Sequence, residues 1–455
     1  MKEKIISEVI CALKKNPGAE VALLGLGKTN RVILDIITKI PELKKITVYH
    51  SEDTVMPRNV NRQDYPARGE SINADIVFTS PSVRRENLIT SSGVKFTSDT
   101  ELLFSEKVKN SFLISGSDGK STVSAITAEL LNSRFPDLFL GGNIGTPVAL
   151  CELRKTDAIV IELSSFNLKY TSPCSDRAII TNITPNHLNW HESYEEYISS
   201  KKNLLTHSRE PIVNVDTPEC VEIANKQRLY AICSSTSNFA ELRDRYSAEH
   251  IFTLEGGNIC IDGNAYVSTC ELQMKEKHNA VNFMSAMALT HGYAERSDVF
   301  RVAHSFKGLP HRCDRFLSVG GANFIDSSID TTPERTAATL RSLGKKVKLI
   351  LGGRGKGLCM TPLLLPLASY AEEICVYGEI KDEIESFLDS HGSLRKIPRA
   401  SFEYFSEAVE HITENIKDGD TVLLSPAATS YGEFRNFEER GELFRKIVHD
   451  KYEKI

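Results

Sequence analysis

The chain has 455 residues, which at about 150 residues per domain predicts roughly three domains, each large enough to bury its own core. Hydrophobic residues make up 41% and charged residues 25%, with 27 Gly and 17 Pro, so a largely disordered or fibrous protein is excluded. The formal net charge of −5 lacks the global positive field of a dedicated nucleic-acid-binding protein, so we expect no nucleic-acid partner.

The ten cysteines are dispersed, with no pair at the Cys-x-x-Cys spacing of a zinc or redox motif. We expect them to be small buried hydrophobes in a reducing compartment. The N-terminal residues carry charges every few positions where a signal peptide has an apolar core, and no apolar run approaches the roughly 18 residues of a membrane span. These features predict a soluble cytoplasmic protein without membrane contacts.

Short β-rich apolar runs alternate with helical periodicity, which predicts an α/β fold with mostly parallel sheets. In the first block these runs are residues 21–27, 46–50 and 74–80, and they predict a small α/β domain. In the second block they are residues 111–115, 157–162 and 177–183, followed by an antiparallel meander over 251–267. A third block from about residue 310 has predicted strands at 323–325, 347–351, 373–377 and 421–424.

The most informative segment, residues 114–122, reads Ile-Ser-Gly-Ser-Asp-Gly-Lys-Ser-Thr between a predicted strand and a predicted helix. Gly116 and Gly119 allow backbone N–H groups to approach phosphate oxygens, Lys120 supplies a point charge, and Ser121 or Thr122 can ligate Mg²⁺. The full Walker pattern needs a glycine at position 114, so this is a shortened phosphate-binding loop. The alternative is a glycine-rich turn without function.

A second glycine-rich turn, residues 25–30, reads Gly-Leu-Gly-Lys-Thr-Asn after the first strand. Asn30 replaces the third glycine of a dinucleotide fingerprint, and Glu52 is a loose candidate for the ribose-binding acid expected about 20 residues further on. We therefore disfavour NAD binding. A site for a nucleotide diphosphate and a purely structural turn both remain open.

Glu162 ends an apolar strand, at the sheet edge where ligands of α/β folds bind. A carboxylate there can hold Mg²⁺ against nucleotide phosphates, whereas the alternative is a helix-capping acid. His187 lies just past the next predicted strand. Helical spacing over residues 194–205 places Lys201 on the apolar face and Lys202 on the opposite side. A buried Lys201 would have a neutral amine able to act as a base or to form a carbamate with CO₂, and the alternative is a snorkelling lysine.

Eight motifs, in order along the whole chain, together resemble the Mur ligases. They read Gly-Ser-Asp-Gly-Lys-Ser-Thr at 116–122, Gly-Gly-Asn-Ile-Gly at 141–145, Glu-Leu-Ser-Ser-Phe at 162–166, Asn-Ile-Thr-Pro-Asn-His-Leu at 182–188, Tyr-Ile-Ser-Ser-Lys at 197–201, His-Asn-Ala-Val-Asn at 278–282, Gly-Leu-Pro-His-Arg at 308–312 and Leu-Ser-Pro-Ala-Ala-Thr-Ser at 424–430. Within the family they are most similar to the branch that adds D-glutamate to UDP-N-acetylmuramoyl-L-alanine.

This resemblance implies an ATP- and Mg²⁺-dependent acid–amino-acid ligase of peptidoglycan precursor synthesis, acting through an acyl phosphate, and we expect a monomer. It implies an N-terminal Rossmann-like uridine-nucleotide domain over residues 1–103, a central phosphate-loop ATPase domain over 104–309 and a C-terminal Rossmann-like amino-acid domain over 310–455.

The resemblance also implies residue roles at the matching positions. The catalytic residues would be Lys120, His187 and a carbamylated Lys201. The ATP-binding residues would be Gly116, Ser117, Asp118, Gly119, Lys120, Ser121, Thr122, Asn279, Asn282 and Arg312. The metal ligands would be Ser121, Glu162, His187 and Lys201. The substrate-binding residues would be Lys28, Thr29, Ser80, Asn143, Ser164, Thr331, Lys356, Ser430 and Phe437, of which Asn143 and Ser164 would face the muramoyl-alanine end and Lys356, Ser430 and Phe437 the D-glutamate.

Three positions depart from the family pattern. Asp118 stands where the loop often has Asn, and it adds a negative charge near the phosphates. Ser327 stands where an acid that holds the ribose is common, so Asp326 or Asp330 is expected to substitute. His50 and Glu52 replace the uridine-binding Asp-x-Arg.

Two other functions remain open. One is a related ligase, either folylpolyglutamate synthase or a Mur enzyme adding another amino acid, although folate ligases lack the N-terminal Gly-Leu-Gly domain. The other is a nucleotide-binding regulatory protein without turnover, which would not need the full set of Lys120, Glu162, His187 and Lys201.

Overall fold

The computed structural model describes residues 18–50, 56–66, 70–90, 95–105, 108–188, 190–355 and 357–452. The chain divides into two compact units, Met1–Lys307 and Gly308–Ile455. The first unit contains two large sheets and the second unit contains one. Across the described residues we find no helix with the length and apolar character needed to span a bilayer. The predicted division into three domains stays a prediction.

The first sheet has five described strands in the order β3-β2-β1-β5-β7, all parallel. Its central strands are continuous apolar runs because helices and loops cover both faces. The strands of this region are β1 (Glu20–Leu24), β2 (Lys45–Tyr49), β3 (Val60–Gln63), β5 (Ile76–Thr79) and β7 (Lys95–Thr97), with β4 (Ser71–Ile72) and β6 (Ile89–Thr90) forming a separate pair. The helices are Lys28–Ile37 and Asp99–Ser105.

The second sheet has nine strands within the described residues, in the order β16-β15-β14-β13-β12-β11-β8-β10-β9. The seven strands from β14 to β9 are parallel, and β15 and β16 are antiparallel, which confirms the predicted meander. The strands are β8 (Ser111–Ser115), β9 (Leu138–Gly142), β10 (Ala158–Glu162), β11 (Ser175–Ile180), β12 (Ser208–Asn214), β13 (Leu229–Ser234), β14 (Ala248–Glu255), β15 (Asn258–Ile261) and β16 (Asn264–Ser268). Every residue of β8 and β10 is buried, so both strands are covered on their two faces.

Helices cover both faces of this sheet and enclose two apolar cores, as in a doubly wound fold. They are Lys120–Leu131, Ser165–Tyr170, Tyr194–Thr206, Pro218–Ala224, Phe239–Arg245, Lys277–Thr290 and Arg296–Ser305. The α/β fold with mostly parallel sheets is therefore confirmed.

The second unit has a sheet of six described strands in the order β17-β18-β22-β19-β20-β21, in which β17 alone is antiparallel. The strands are β17 (Asp314–Val319), β18 (Ala322–Asp326), β19 (Val347–Gly352), β20 (Ala371–Tyr377), β21 (Arg399–Phe402) and β22 (Thr421–Leu424). The helices are Pro333–Leu343, Leu364–Tyr370, Lys381–Ser390, Phe405–Ile412 and Phe437–Tyr452.

Arg440, on the helix Phe437–Tyr452, is fully buried in the second unit. Its guanidinium donates to the carbonyls of Ser328 at 2.9 Å and Ala428 at 3.2 Å. It also donates to the Ser328 hydroxyl at 3.0 Å and to the Tyr377 hydroxyl at 3.1 Å. One planar side chain therefore joins the loops after β18 and β22 to the end of β20.

We predict that Arg440→Met lowers the free energy of unfolding by at least about 2 kcal/mol, because two buried carbonyls lose their charged donor. Urea unfolding followed by circular dichroism measures the change. The matched control is Arg435→Met on the preceding turn, where the side chain is 88% exposed and a change within about 0.5 kcal/mol is expected. Equal small effects of the two substitutions would contradict the role given to Arg440.

Candidate active site

The predicted phosphate-binding loop connects β8 to the helix Lys120–Leu131 and depends on two glycines. Gly116 and Gly119 have φ angles of 149° and 78°, which favour glycine. A Cβ at Gly116 would lie 1.9 Å from Thr181 Oγ1, and one at Gly119 would lie 2.3 Å from Asn282 Oδ1. A side chain at either position would therefore force Thr181 or Asn282 to move.

The loop is also held by hydrogen bonds to the residues that follow β11. The Ser117 N–H donates to the Asn182 carbonyl, and the Asp118 N–H donates to Asn182 Oδ1, both at 2.9 Å. The Ser117 hydroxyl is 3.0 Å from the Thr184 carbonyl and 2.6 Å from the Tyr197 hydroxyl. The Asp118 side chain is exposed, so it is the backbone of this residue that shapes the loop. The loop is thus pre-formed.

Two lysines approach the loop from different helices. Lys120 Nζ donates to the Ser117 carbonyl at 2.7 Å. Lys201, on the helix Tyr194–Thr206, donates to the Gly116 carbonyl at 2.6 Å and lies 3.4 Å from Ser115 Oγ. Ser121 and Thr122, expected to contact ATP, are buried in the first turn of the helix that begins at Lys120.

Lys201 is only 2% exposed, so the snorkelling alternative is wrong. The Lys201 amine points into the loop and lies 4.7 Å from the Tyr197 ring centre. The Lys202 side chain, by contrast, is partly exposed. Burial, and then the positive charge of Lys120, hold the pKa of Lys201 well below its usual range. This environment shifts the equilibrium of Lys201 toward the neutral amine.

Glu162 is the last residue of β10 and is 1% exposed. Asn143 Nδ2 donates to its Oε1 at 2.8 Å, but Oε2 is buried without a hydrogen-bond donor among the described residues. The capping alternative is wrong, because Ser164 caps the next helix by accepting from the Asn167 N–H. An unpaired buried carboxylate oxygen suits a hard divalent cation such as Mg²⁺.

His187 follows β11 at the same edge of the sheet, with an exposed side chain and a φ angle of 56°. Its ring centre lies 4.9 Å from that of Phe166. Because β8, β10 and β11 are neighbouring parallel strands, their carboxyl ends bring the phosphate loop, Glu162 and His187 to one edge.

The N-terminal glycine-rich turn lies beside the residues expected to contact the acceptor. Asn30 Nδ2 donates to the Leu24 and Gly25 carbonyls, so the residue that replaces the third glycine supports the turn itself. Lys28 Nζ donates to the Gly145 carbonyl at 2.7 Å, and Ser80 is buried close to Gly25. A small cavity of about 60 Å³ joins the two parts of the unit and is lined by Thr29, Pro81, Asp99, Thr100, Gly142, Asn143, Val148, Glu162 and Asn167.

Asp99 is a residue of this cavity that the sequence analysis missed, since nothing in its sequence context distinguishes it from an ordinary acid at a helix start. It is 3% exposed and accepts from the Thr100 N–H at 2.8 Å and the Ala149 N–H at 3.3 Å. Asn167 Nδ2 donates to Thr100 Oγ1 at 3.1 Å. The Ser164 hydroxyl in turn donates to Asn167 Oδ1 at 2.6 Å. Burial raises the pKa of Asp99 to about 6.

The other expected site residues are divided between the two units. Asn282 is buried beside the phosphate loop, and Asn279 Nδ2 donates to Glu276 Oε2 at 3.0 Å. Ser430 is buried and lines a cavity of about 380 Å³ in the second unit. The second unit also contains Arg312, Thr331 and Phe437. Lys356 and Glu52 lie outside the described residues.

The structure argues against Asp326 or Asp330 replacing the ribose acid that is absent at Ser327. Asp326 Oδ2 lies 2.6 Å from His311 Nδ1 and accepts from Arg445 at 2.8 Å. Asp330 accepts from the hydroxyls of Ser425 and Thr339. Both acids are buried, so their carboxylates serve the fold of the second unit.

Comparison with known proteins gives a family match and relatives that cover nearly the whole chain. The family described as Mur ligase middle domain matches residues 114–290. A UDP-N-acetylmuramoylalanine–D-glutamate ligase of Ruminiclostridium cellulolyticum is 30% identical over 391 residues, which cover 83% of each chain. The ligase of the same name from Clostridium perfringens is 29% identical and covers 95% of this chain and 97% of its own.

Two solved structures share the fold. The UDP-N-acetylmuramate-alanine ligase MurC of Thermotoga maritima has a TM-score of 0.59 and 16% identity, and it covers 95% of this chain and 100% of its own. The MurF ligase of Thermotoga maritima in complex with ADP has a TM-score of 0.51 and 15% identity, and it covers 96% and 97%.

We predict that Asp99 makes stability fall as the pH rises. The pKa of Asp99 in the folded protein is about 6, above its ordinary value of 3.8. Between pH 3.8 and pH 6 the folded protein therefore holds a proton that the unfolded chain has lost. As the pH rises through this range, the free energy of unfolding falls by about 3 kcal/mol. Asp99→Asn removes this ionisable carboxyl, so the urea midpoint of the variant changes less between pH 4 and pH 7 than that of the unmodified protein. The control Asp137→Asn, at an exposed position, keeps the original pH dependence. Parallel curves for all three proteins would contradict the prediction.

Proposed function

The chain belongs to the Mur ligase family, and we propose that it catalyses the ATP-dependent joining of D-glutamate to UDP-N-acetylmuramoyl-L-alanine in peptidoglycan precursor synthesis. The proposal is carried by the meeting of Lys120, Glu162 and a buried Lys201 at one phosphate loop. The relatives named for this activity match nearly the full chain, which favours D-glutamate over other amino acids.

The reaction has two steps. The alanyl carboxylate of the acceptor attacks the γ-phosphorus of ATP, which forms an acyl phosphate and releases ADP. The amine of D-glutamate then attacks the acyl carbon, loses a proton and displaces inorganic phosphate, which leaves the new amide.

The first step brings two anions together, so the chain must stabilise negative charge where the phosphoryl group transfers. Lys120 supplies a positive charge at the start of a helix, where backbone N–H groups also face the phosphates. The pre-formed loop aligns ATP without further ordering. In the second step positioning dominates, because the acyl phosphate is already activated.

The residues present fit a divalent cation, because Glu162 Oε2 is buried without a donor. Ser121, Glu162, His187 and Lys201 would hold Mg²⁺, which when bound neutralises phosphate charge. We propose that the Lys201 amine attacks CO₂ and loses a proton to become an anionic carbamate, which converts a buried base into an oxygen ligand. The low pKa of Lys201 supports this step, since the neutral amine is the nucleophile.

The remaining roles are part of the same proposal. Lys28, Thr29, Ser80, Asn143 and Ser164 would contact the acceptor. Asn279, Asn282 and Arg312 would contact the adenine nucleotide, Lys356, Ser430 and Phe437 would contact the D-glutamate, and Thr331 would also bind substrate. The three-domain division over 1–103, 104–309 and 310–455, the monomeric state and the cytoplasmic location also belong to the proposal.

The test is an assay for phosphate release with the purified chain, ATP and Mg²⁺. We expect release that requires both UDP-N-acetylmuramoyl-L-alanine and D-glutamate. Higher activity with L-alanine, L-lysine or diaminopimelate would overturn the D-glutamate assignment while keeping the ligase chemistry. Turnover with a folate acceptor, or ATP binding without any turnover, would support the other two functions.

We predict that Lys201→Ala lowers kcat by more than about 100-fold, because a metal ligand and a loop contact are lost together. Lys202→Ala, one residue further along the same helix, is the matched control and changes kcat less than about twofold. Steady-state phosphate release at saturating Mg²⁺ measures both. Equal, small losses for the two variants would contradict the role proposed for Lys201.

A further inference from the structure

The backbone around His187 forms a turn that other segments of the chain hold in place. The His187 carbonyl accepts from the N–H groups of Trp190 and His191, at 2.9 Å and 3.0 Å. The φ angle of 56° at His187 lies in the left-handed region, which is unfavourable for a residue with a Cβ. We call His187, Trp190 and His191 the His187 turn.

Phe166 connects the rings of the His187 turn. Its ring centre lies 4.9 Å from that of His187 and 4.2 Å from that of Trp190. The imidazole therefore has an aromatic neighbour that also packs against the indole. A displaced Trp190 would release Phe166 and with it the orientation of His187.

Trp190 is held by a segment that follows β5 in the N-terminal part of the first unit. Its indole N–H donates to the Ser82 carbonyl at 2.7 Å. Arg84 Nη1 donates to the Trp190 carbonyl at 2.8 Å, and Arg84 Nη2 donates to Glu192 Oε1 at 2.8 Å. The Arg84 side chain is 19% exposed, so its bond to the Trp190 carbonyl is partly shielded from water, whereas Glu192 is 71% exposed.

Other contacts between the same two regions remain when Arg84 is replaced, although Glu86, which makes two of them, also lies 3.8 Å from Arg84 Nε. Lys169 Nζ lies 2.8 Å from Glu86 Oε1, and the Tyr170 hydroxyl donates to Glu86 Oε2 at 2.7 Å. The Arg85 guanidinium stacks 4.4 Å from the Tyr170 ring centre. Loss of the Arg84 side chain should therefore leave the two regions docked and act locally on the His187 turn.

We propose that Arg84 is a positioning residue that fixes the His187 turn, so that the segment next to Ser80 sets the orientation of the imidazole. Ser80, which follows β5 and is expected to bind substrate, lies four positions before Arg84 in the chain. The N-terminal region thereby contributes to the metal-binding edge without touching the metal. The expected effect on Mg²⁺-dependent turnover rests on the proposed function. The expected effect on the conformation of the His187 turn does not.

The experiment compares Arg84→Met, the conservative Arg84→Lys and the control Lys44→Ala, which removes an exposed ion pair with Glu20 in the same region. Trp190 is the single tryptophan of the chain, so its emission reports the turn without any label. We expect Arg84→Met to shift this emission and to speed hydrogen exchange at the Trp190 and His191 amides by about tenfold or more. Lys44→Ala should match the unmodified protein, and Arg84→Lys should lie between the two.

The kinetic arm measures phosphate release as a function of Mg²⁺ and of D-glutamate. Arg84→Met should raise the Mg²⁺ concentration for half-maximal rate and lower kcat, each by roughly 10-fold or more, while the KM for D-glutamate stays within about twofold. Unchanged emission, exchange and Mg²⁺ dependence would overturn the proposal. So would equal changes in the Mg²⁺ and D-glutamate parameters with a lower melting temperature, because that pattern indicates general destabilisation. An unmodified protein inactive with D-glutamate would refute the proposed function, while the emission and exchange results would still decide the role of Arg84.

Discussion

The arrangement depends on one buried hydrogen bond, between the amine of Lys201 and the carbonyl of Gly116. A lysine enclosed on all sides must either carry an unpaired charge or lose a proton, and the nearby positive charge of Lys120 favours proton loss. The helix Tyr194–Thr206 is thereby linked to the glycine-rich loop that is proposed to bind phosphates. A substitution at Lys201 is therefore expected to change the loop as well as the proposed metal site.

The parallel sheet of the first unit supplies the rest of the site. Strands β8, β10 and β11 lie side by side, so residues that are distant in sequence meet where these strands end. The loop at Gly116, the carboxylate of Glu162 and the ring of His187 each follow one of them. A buried carboxylate oxygen without a donor is unfavourable in a folded protein, and a bound cation relieves it. These groups fit the proposed complex of nucleotide and metal.

The sequence predicted those parts of the molecule whose signal is local. Apolar runs located β1, β8, β10 and β19, and helical spacing predicted that Lys201 faces inward. Helical spacing alone did not show whether the Lys201 amine reaches solvent. The structure shows that the loop at Gly116 covers it. Strand β12 begins with Ser-Arg-Glu-Pro and was not predicted. These first residues are polar or Pro, so they lack the alternation of apolar and polar residues that indicates a strand.

The parts that escaped prediction depend on contacts between distant segments. Asp99 is an ordinary acid in the sequence, and its buried position results from the packing of Thr100 and Ala149 around it. Arg84 and Trp190 are more than 100 residues apart, and nothing near either one indicates that they meet. Family resemblance assigns roles to groups that touch ligands, and supporting residues of this kind are found only in the three-dimensional structure.

The most direct test of the chemistry follows the oxygen atoms of the acceptor. UDP-N-acetylmuramoyl-L-alanine labelled with heavy oxygen in its alanyl carboxylate is turned over with ATP and D-glutamate, and the released phosphate is analysed by mass spectrometry. An acyl phosphate intermediate predicts that each phosphate carries one labelled oxygen, because the carboxylate oxygen that attacks the phosphorus leaves with it. Phosphate free of label would contradict the account, since the carboxylate would then not have been the group that attacked ATP.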